Sequence, residues 1–128
     1  MAGQEKVVQQ QLQKEVEEFQ KLQKDMQKLF AQRQQLETQL TENKIVKEEL
    51  DLIKQDANVF KLVGPVLVKQ DLNEAKLNVE KRIEYIQAES KRHEKSLQDL
   101  EAKQTSHREG IGKLQQQYQQ LMVKAQQK

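Results

Sequence analysis

Two histidines, His93 and His107, are the residues in this chain best suited to metal or proton chemistry. Neither finds a partner at useful spacing. They stand fourteen residues apart, about 21 Å along a helix at 1.5 Å per residue, too far to share one ion within one chain. No cysteine is present, which excludes disulfides and thiolate metal sites. The carboxylates are spread along solvated positions. No Gly-rich phosphate loop, nucleophile elbow or HExxH helix occurs. These absences predict a protein that is not an enzyme and holds neither metal nor cofactor.

The elements that would position any site are equally unlike those of an enzyme. Hydrophobic residues make up 35% of the 128 and charged residues 33%, with three Phe, two Tyr and no Trp. That is too little apolar mass for an ordinary globular core. The formal net charge is +2, from 22 basic and 20 acidic side chains. The two signs alternate, as on a solvated helix, rather than gathering Lys and Arg into a nucleic-acid stripe. The densest basic residues are Lys69, Lys81, Arg82, Lys91 and Arg92, and they are interleaved with Glu80, Glu84, Glu89 and Glu94. No apolar run approaches the ~20 residues of a membrane span, and the opening MAGQEKVVQQQ has no signal-peptide core. The expectation is a soluble, cytoplasmic protein that binds neither nucleic acid nor membrane.

What the composition lacks in apolar mass the spacing supplies. Placing Leu12, Phe19, Met26, Arg33, Leu40 and Lys47 at heptad position a puts Val8, Glu15, Leu22, Leu29, Leu36, Asn43 and Leu50 at d. Most of these are apolar, which is a coiled-coil seam with a few polar intruders. A second seam takes Ile83, Leu97, Ile111, Tyr118 and Ala125 at a, and Leu72, Val79, Ile86, Leu100, Leu114 and Leu121 at d. Ser90, His93, Gln104 and His107 are its polar members. Between the seams, Asn58 to Val63 and Val66 to Gln70 are rich in β-branched residues and flank Gly64-Pro65, a turn signal. Asp71 caps the second helical segment, with Glu74 three residues on.

The predicted fold is all-α with a small β insertion: an antiparallel two-helix coiled-coil hairpin. It forms a single domain over residues 1–128, with helix one over about 5–56, a β-hairpin over 57–71 and helix two over 72–125. Val59, Val63, Val66 and Val68 share one hairpin face, and Phe60, Leu62 and Leu67 share the other. Two apolar faces on two strands leave both uncovered, and an isolated hairpin is marginal in water. Hairpins from several chains would complete one another as a β hub. The competing arrangement folds the hairpin back onto Ile45, Val46, Leu52 and Ile53.

Helix–hairpin–helix with heptads on both sides resembles the prefoldin subunits, and one strand pair per chain resembles their β class. The stretch QLTENKIVKEELDLIKQDANVFKLVGPVLVKQDLNEAKLNVEKRIEYIQ, Gln39 to Gln87, carries the match, about forty per cent of the chain. Within it NVFKLVGPVLVKQ is the most specific part. The outer helix segments match only by periodicity and Gln-rich character. The resemblance implies a subunit of a heterohexamer of α- and β-class chains whose hairpins form a double β-barrel. It implies coiled-coil tentacles whose tips hold unfolded actin and tubulin and pass them, without nucleotide, to the cytosolic group II chaperonin. Val59, Phe60, Leu62, Val63, Val66, Leu67 and Val68 are then the oligomer hub. Val7, Val8, Leu12, Val16, Leu121, Met122 and Val123 are the tip residues for clients. Gly110 and Gly112 are either loosening points near that end or glycines tolerated in a stable coil. Two other readings remain open: a structural scaffold or tether, and a subunit of a prefoldin-like complex that matures other assemblies.

Overall fold

The computed structural model describes residues 2–127. Its elements are helix α1 (Ala2–Leu52), strand β1 (Val59–Val63), strand β2 (Val66–Gln70) and helix α2 (Leu72–Gln126). The chain divides into two compact units. One holds the chain up to Phe30 with the chain from Lys95 on, and the other holds Ala31–Glu94.

In the first unit the seam of α1 lies against the seam of α2. The cross-helix partners run in opposite senses, which makes the pairing antiparallel. Gln9 Nε2 donates to the Tyr118 hydroxyl at 3.0 Å, Glu15 meets His107, and the Arg108 guanidinium lies 5.6 Å from the centre of the Phe19 ring. Among its described residues Val8, Leu22 and Leu97 are the buried side chains. The remaining apolar seam members, apart from Ala125, are half-buried, as expected where two helices share one stripe without a third layer. Ala125, placed at position a by the spacing, is exposed.

In the second unit the end of α1 packs on the start of α2. Leu50, Leu72, Ala75 and Val79 form a buried cluster, flanked by Ile53, Val59 and Ile83. Asp51 and Lys76 pair at 3.8 Å across the same junction. Helix α1 closes at Leu52, short of the residue 56 that the spacing suggests. The amide of Ala57 instead donates to the carbonyl of Lys54 at 3.0 Å, a tight turn that carries the chain into β1. At the far side of the hairpin, the Asp71 carboxylate accepts from the Glu74 amide at 3.3 Å. The Asp71 carbonyl takes the first helical bond, from Ala75 at 2.9 Å. Asp71 is thus the N-cap of α2, satisfying one of the amides a helix start leaves unpaired.

The two strands pair antiparallel, with Val59 opposite Gln70, Lys61 opposite Val68 and Val63 opposite Val66. Phe60 faces Lys69, and Leu62 faces Leu67. Only Gly64 and Pro65 connect them, and Gly64 has φ of 58°. A positive φ followed by the fixed negative φ of proline is the pattern of a type II′ turn, whose twist suits a two-residue hairpin. Any side chain at Gly64 would strain that turn.

Candidate functional site

Antiparallel partners point to the same side, so the register sorts the hairpin side chains into two faces. Val59, Val63, Val66 and Val68 lie on one, with Lys61 and Gln70. Phe60, Leu62 and Leu67 lie on the other, with Lys69. Of the seven apolar residues, only Val59 is half-buried, where it reaches the Leu50 cluster. Leu62 is 68% exposed and Leu67 65%, and Phe60, Val63, Val66 and Val68 are exposed with them. The fold-back arrangement does not form. Ile45 and Val46 are exposed and Leu52 is 85% so, and only Ile53 packs with the cluster. What the strands offer is therefore a two-sided apolar sheet fragment whose outer edges carry unpaired backbone groups. Such an edge pairs readily with another strand.

The terminal segments of α1 and α2 in the first unit form a different kind of surface. Gly3, Gln4, Val7, Val8, Gln11, Gln117 and Leu121 line an open groove of about 670 Å³. Val7, Met122 and Val123 are exposed, Leu12, Val16 and Leu121 are half-buried, and Val8 is only 4% exposed. Val8 thus forms the seam at the groove floor and offers little surface of its own. Val16 lies off the heptad seam, yet it is half-buried and lines a second, shallower groove with Leu12 and four polar side chains. The rims carry amides rather than charges at Gln4, Gln11 and Gln117.

The histidines go to different carboxylates. His107 Nδ1 lies 2.5 Å from Glu15 Oε2, and His93 Nε2 lies 3.7 Å from Glu89. Among the described residues no group of three His, Cys, Asp or Glu side chains comes together as a metal site. Gly110 stands beside Glu15: a Cβ there would meet its carboxylate at 3.7 Å, ordinary van der Waals contact. Gly112 faces open space, and neither glycine has a positive φ. No helix of the described residues is long and apolar enough to cross a membrane.

Besides Ile45, Val46 and Leu52, three more exposed apolar residues fall outside both surfaces expected from the sequence: Phe30, Leu77 and Tyr85. Each lies off the a and d positions, which is the signal that would have found them. Among the described residues neither candidate surface brings together three His, Cys, Asp or Glu side chains.

The architecture and sequence have clear counterparts. The family model described as "Prefoldin subunit" matches residues 13–118. The chain is 60% identical over 81 residues to prefoldin subunit 6 of Arabidopsis thaliana, an alignment spanning 63% of this chain and 63% of the plant protein. It is 54% identical over 113 residues to prefoldin subunit 6 of Mus musculus and of Homo sapiens, covering 88% of this chain and 89% and 88% of theirs. The crystal structure of the prefoldin β subunit from Thermococcus strain KS-1 superposes with a TM-score of 0.73 at 26% identity, over 79% of this chain and 89% of that one.

Proposed function

Because the chain belongs to the prefoldin subunit family, we propose that it works as a co-chaperone subunit in a hetero-oligomer of α- and β-class prefoldin chains, one domain per chain. Its hairpin inserts into a shared β hub through Val59, Phe60, Leu62, Val63, Val66, Leu67 and Val68. The terminal segments of its helices, around Val7, Leu12, Val16, Leu121, Met122 and Val123, capture non-native chains such as actin and tubulin. The captured chains pass to the cytosolic chaperonin. Holding of this kind needs no nucleotide, because capture and release rest on weak apolar contacts multiplied over several arms.

One observation carries the assembly half of this reading. The hairpin leaves six of its seven large apolar residues in solvent on two opposite faces. Two strands with both faces and both edges uncovered are not stable by themselves in water, so strands of other chains are the natural complement. The capture half is supported by the groove at the terminal segments, with its apolar floor and uncharged rim. Uncharged rims suit clients of any charge.

Native mass spectrometry of the chain purified under mild conditions from its own cells tests the proposal. One copy in a complex with five other small coiled-coil chains is the expected result. A homodimer without other small chains overturns it in favour of a scaffold paired through its hairpin.

A further inference from the structure

The second unit carries a surface that neither assembly at the hairpin nor capture at the terminal segments uses. Gln39 and Asn43 of α1 and Lys81, Arg82, Tyr85 and Ile86 of α2 line a groove of about 480 Å³, within the range of ligand-binding clefts. Ile86 is 5% exposed and forms the floor, while Tyr85 is 63% exposed and stands at the side. Asn43 Nδ2 donates to the Gln39 carbonyl at 2.7 Å, which holds that amide in place on the opposite wall.

The charge balance of α2 looks even in sequence, but it is not even around the helix. At 3.6 residues per turn, Lys81, Tyr85, Arg82 and Ile86 follow one another over an arc of about 140°. Glu80 and Glu84 project from the other side of Lys81, away from the groove. Glu89 is engaged by Arg92 and His93, and Asp51 by Lys76. Among the described residues no carboxylate lies within ion-pair distance of Lys81 or Arg82. Two uncompensated cations therefore flank an exposed aromatic ring over an apolar floor, opposite two neutral amides.

We infer that this groove docks an acidic linear segment of a partner protein. Its carboxylates pair with Lys81 and Arg82, and the planar guanidinium can take one of them through two parallel N–H donors. An aliphatic or aromatic side chain of the segment lies on Ile86 beside the Tyr85 ring. The amides of Gln39 and Asn43 face its backbone. The choice of an acidic peptide follows from the mixed lining: two charges select anions, and the Tyr85–Ile86 surface selects an anion that also carries apolar side chains. The inference does not depend on the chaperone reading.

The test uses the assembled complex containing the full chain. The probe is a fluorescein-labelled peptide of Glu, Asp and Leu, read by anisotropy beside an analogue with Gln and Asn in place of Glu and Asp. The acidic probe binds, more weakly as salt rises, and the neutral analogue does not. K81Q/R82Q weakens binding roughly tenfold, as two exposed ion pairs warrant. Tyr85→Ala weakens it too while keeping both charges. Subunit composition and capture of non-native protein stay as in the parent, which separates this surface from the hub and the terminal segments. Unchanged affinity in K81Q/R82Q, equal binding of the neutral analogue, or failure of the parent complex to bind the acidic probe overturns the inference. So does displacement of the probe by a single-stranded oligonucleotide at lower concentration than by unlabelled peptide, which makes the groove a polyanion site.

Discussion

The hairpin and the terminal segments of the helices both leave large aliphatic side chains in solvent, on backbones with different needs. In β1 and β2 the exposed valines and leucines sit on strands whose outer edges also lack hydrogen-bond partners. A partner must satisfy side chains and backbone together, so it must be a strand in one register. In the terminal segments Val7, Met122 and Val123 project from helices whose backbone groups are already paired within the helix. A partner there need only cover side chains, and many different chains can do so. Met122 adds a side chain that adapts to varied shapes. On the proposed reading, the same kinds of residue serve permanent assembly in one place and weak, exchangeable capture in the other.

Breaking the hairpin face should give the largest effect. Val66→Asp with Val68→Asp puts two carboxylates on the face that carries Lys61, and it should abolish incorporation into the complex with helical content nearly intact. Native mass spectrometry and circular dichroism read the two quantities, and a complex of normal composition would locate assembly elsewhere. Next in size is the core beneath the hairpin. Leu50→Ala removes a buried side chain and should cost about 2–4 kcal/mol in denaturant unfolding. Leu114→Ala, at a half-buried seam position of the first unit, should cost about half as much. Equal costs would mean that the two units are packed to the same depth.

Capture should respond more modestly. Replacing Val7, Met122 and Val123 together with Ser should weaken holding of a non-native client several-fold without changing subunit composition. Capture at the parent level moves the client surface away from these residues. Smallest of all, Gly110→Ala and Gly112→Ala should each stabilise α2 by about 1 kcal/mol, because a methyl fits at both positions and glycine is the poorer helix former. If the double variant gains this stability and still captures clients as well as the parent, with unchanged amide exchange in the terminal segments, the glycines are tolerated rather than needed for loosening.

Much of this was legible in the residues. Every a and d position of α1 from Val8 to Leu50 is buried or half-buried, including the polar Glu15, Arg33, Asn43 and Lys47. The division of hairpin side chains into two faces also comes from alternation, and the observed register agrees with it. Other features were not legible. The spacing carried helix one to residue 56, but the Lys54–Ala57 turn ends it at Leu52. Ile45, Val46 and Leu52 looked able to cover the hairpin and do not. The even charge balance around Lys81 and Arg82 held only along the chain, not around the helix.

The sequence by itself determined which residues face the seam, where the chain reverses and which hairpin side chains travel together. Those depend on periods of 3.5 and 2 and on Gly64-Pro65, all of which are local. Only the tertiary structure decided what each seam residue meets. Glu15 finds His107 and Gln9 finds Tyr118 across separations of 92 and 109 residues. In the second unit Leu50 locks against Leu72, Ala75 and Val79. A heptad pattern is nearly the same after a shift of one repeat, so it names the face and leaves the partner open. Side-chain contacts between residues far apart in the chain are what choose one register among those repeats.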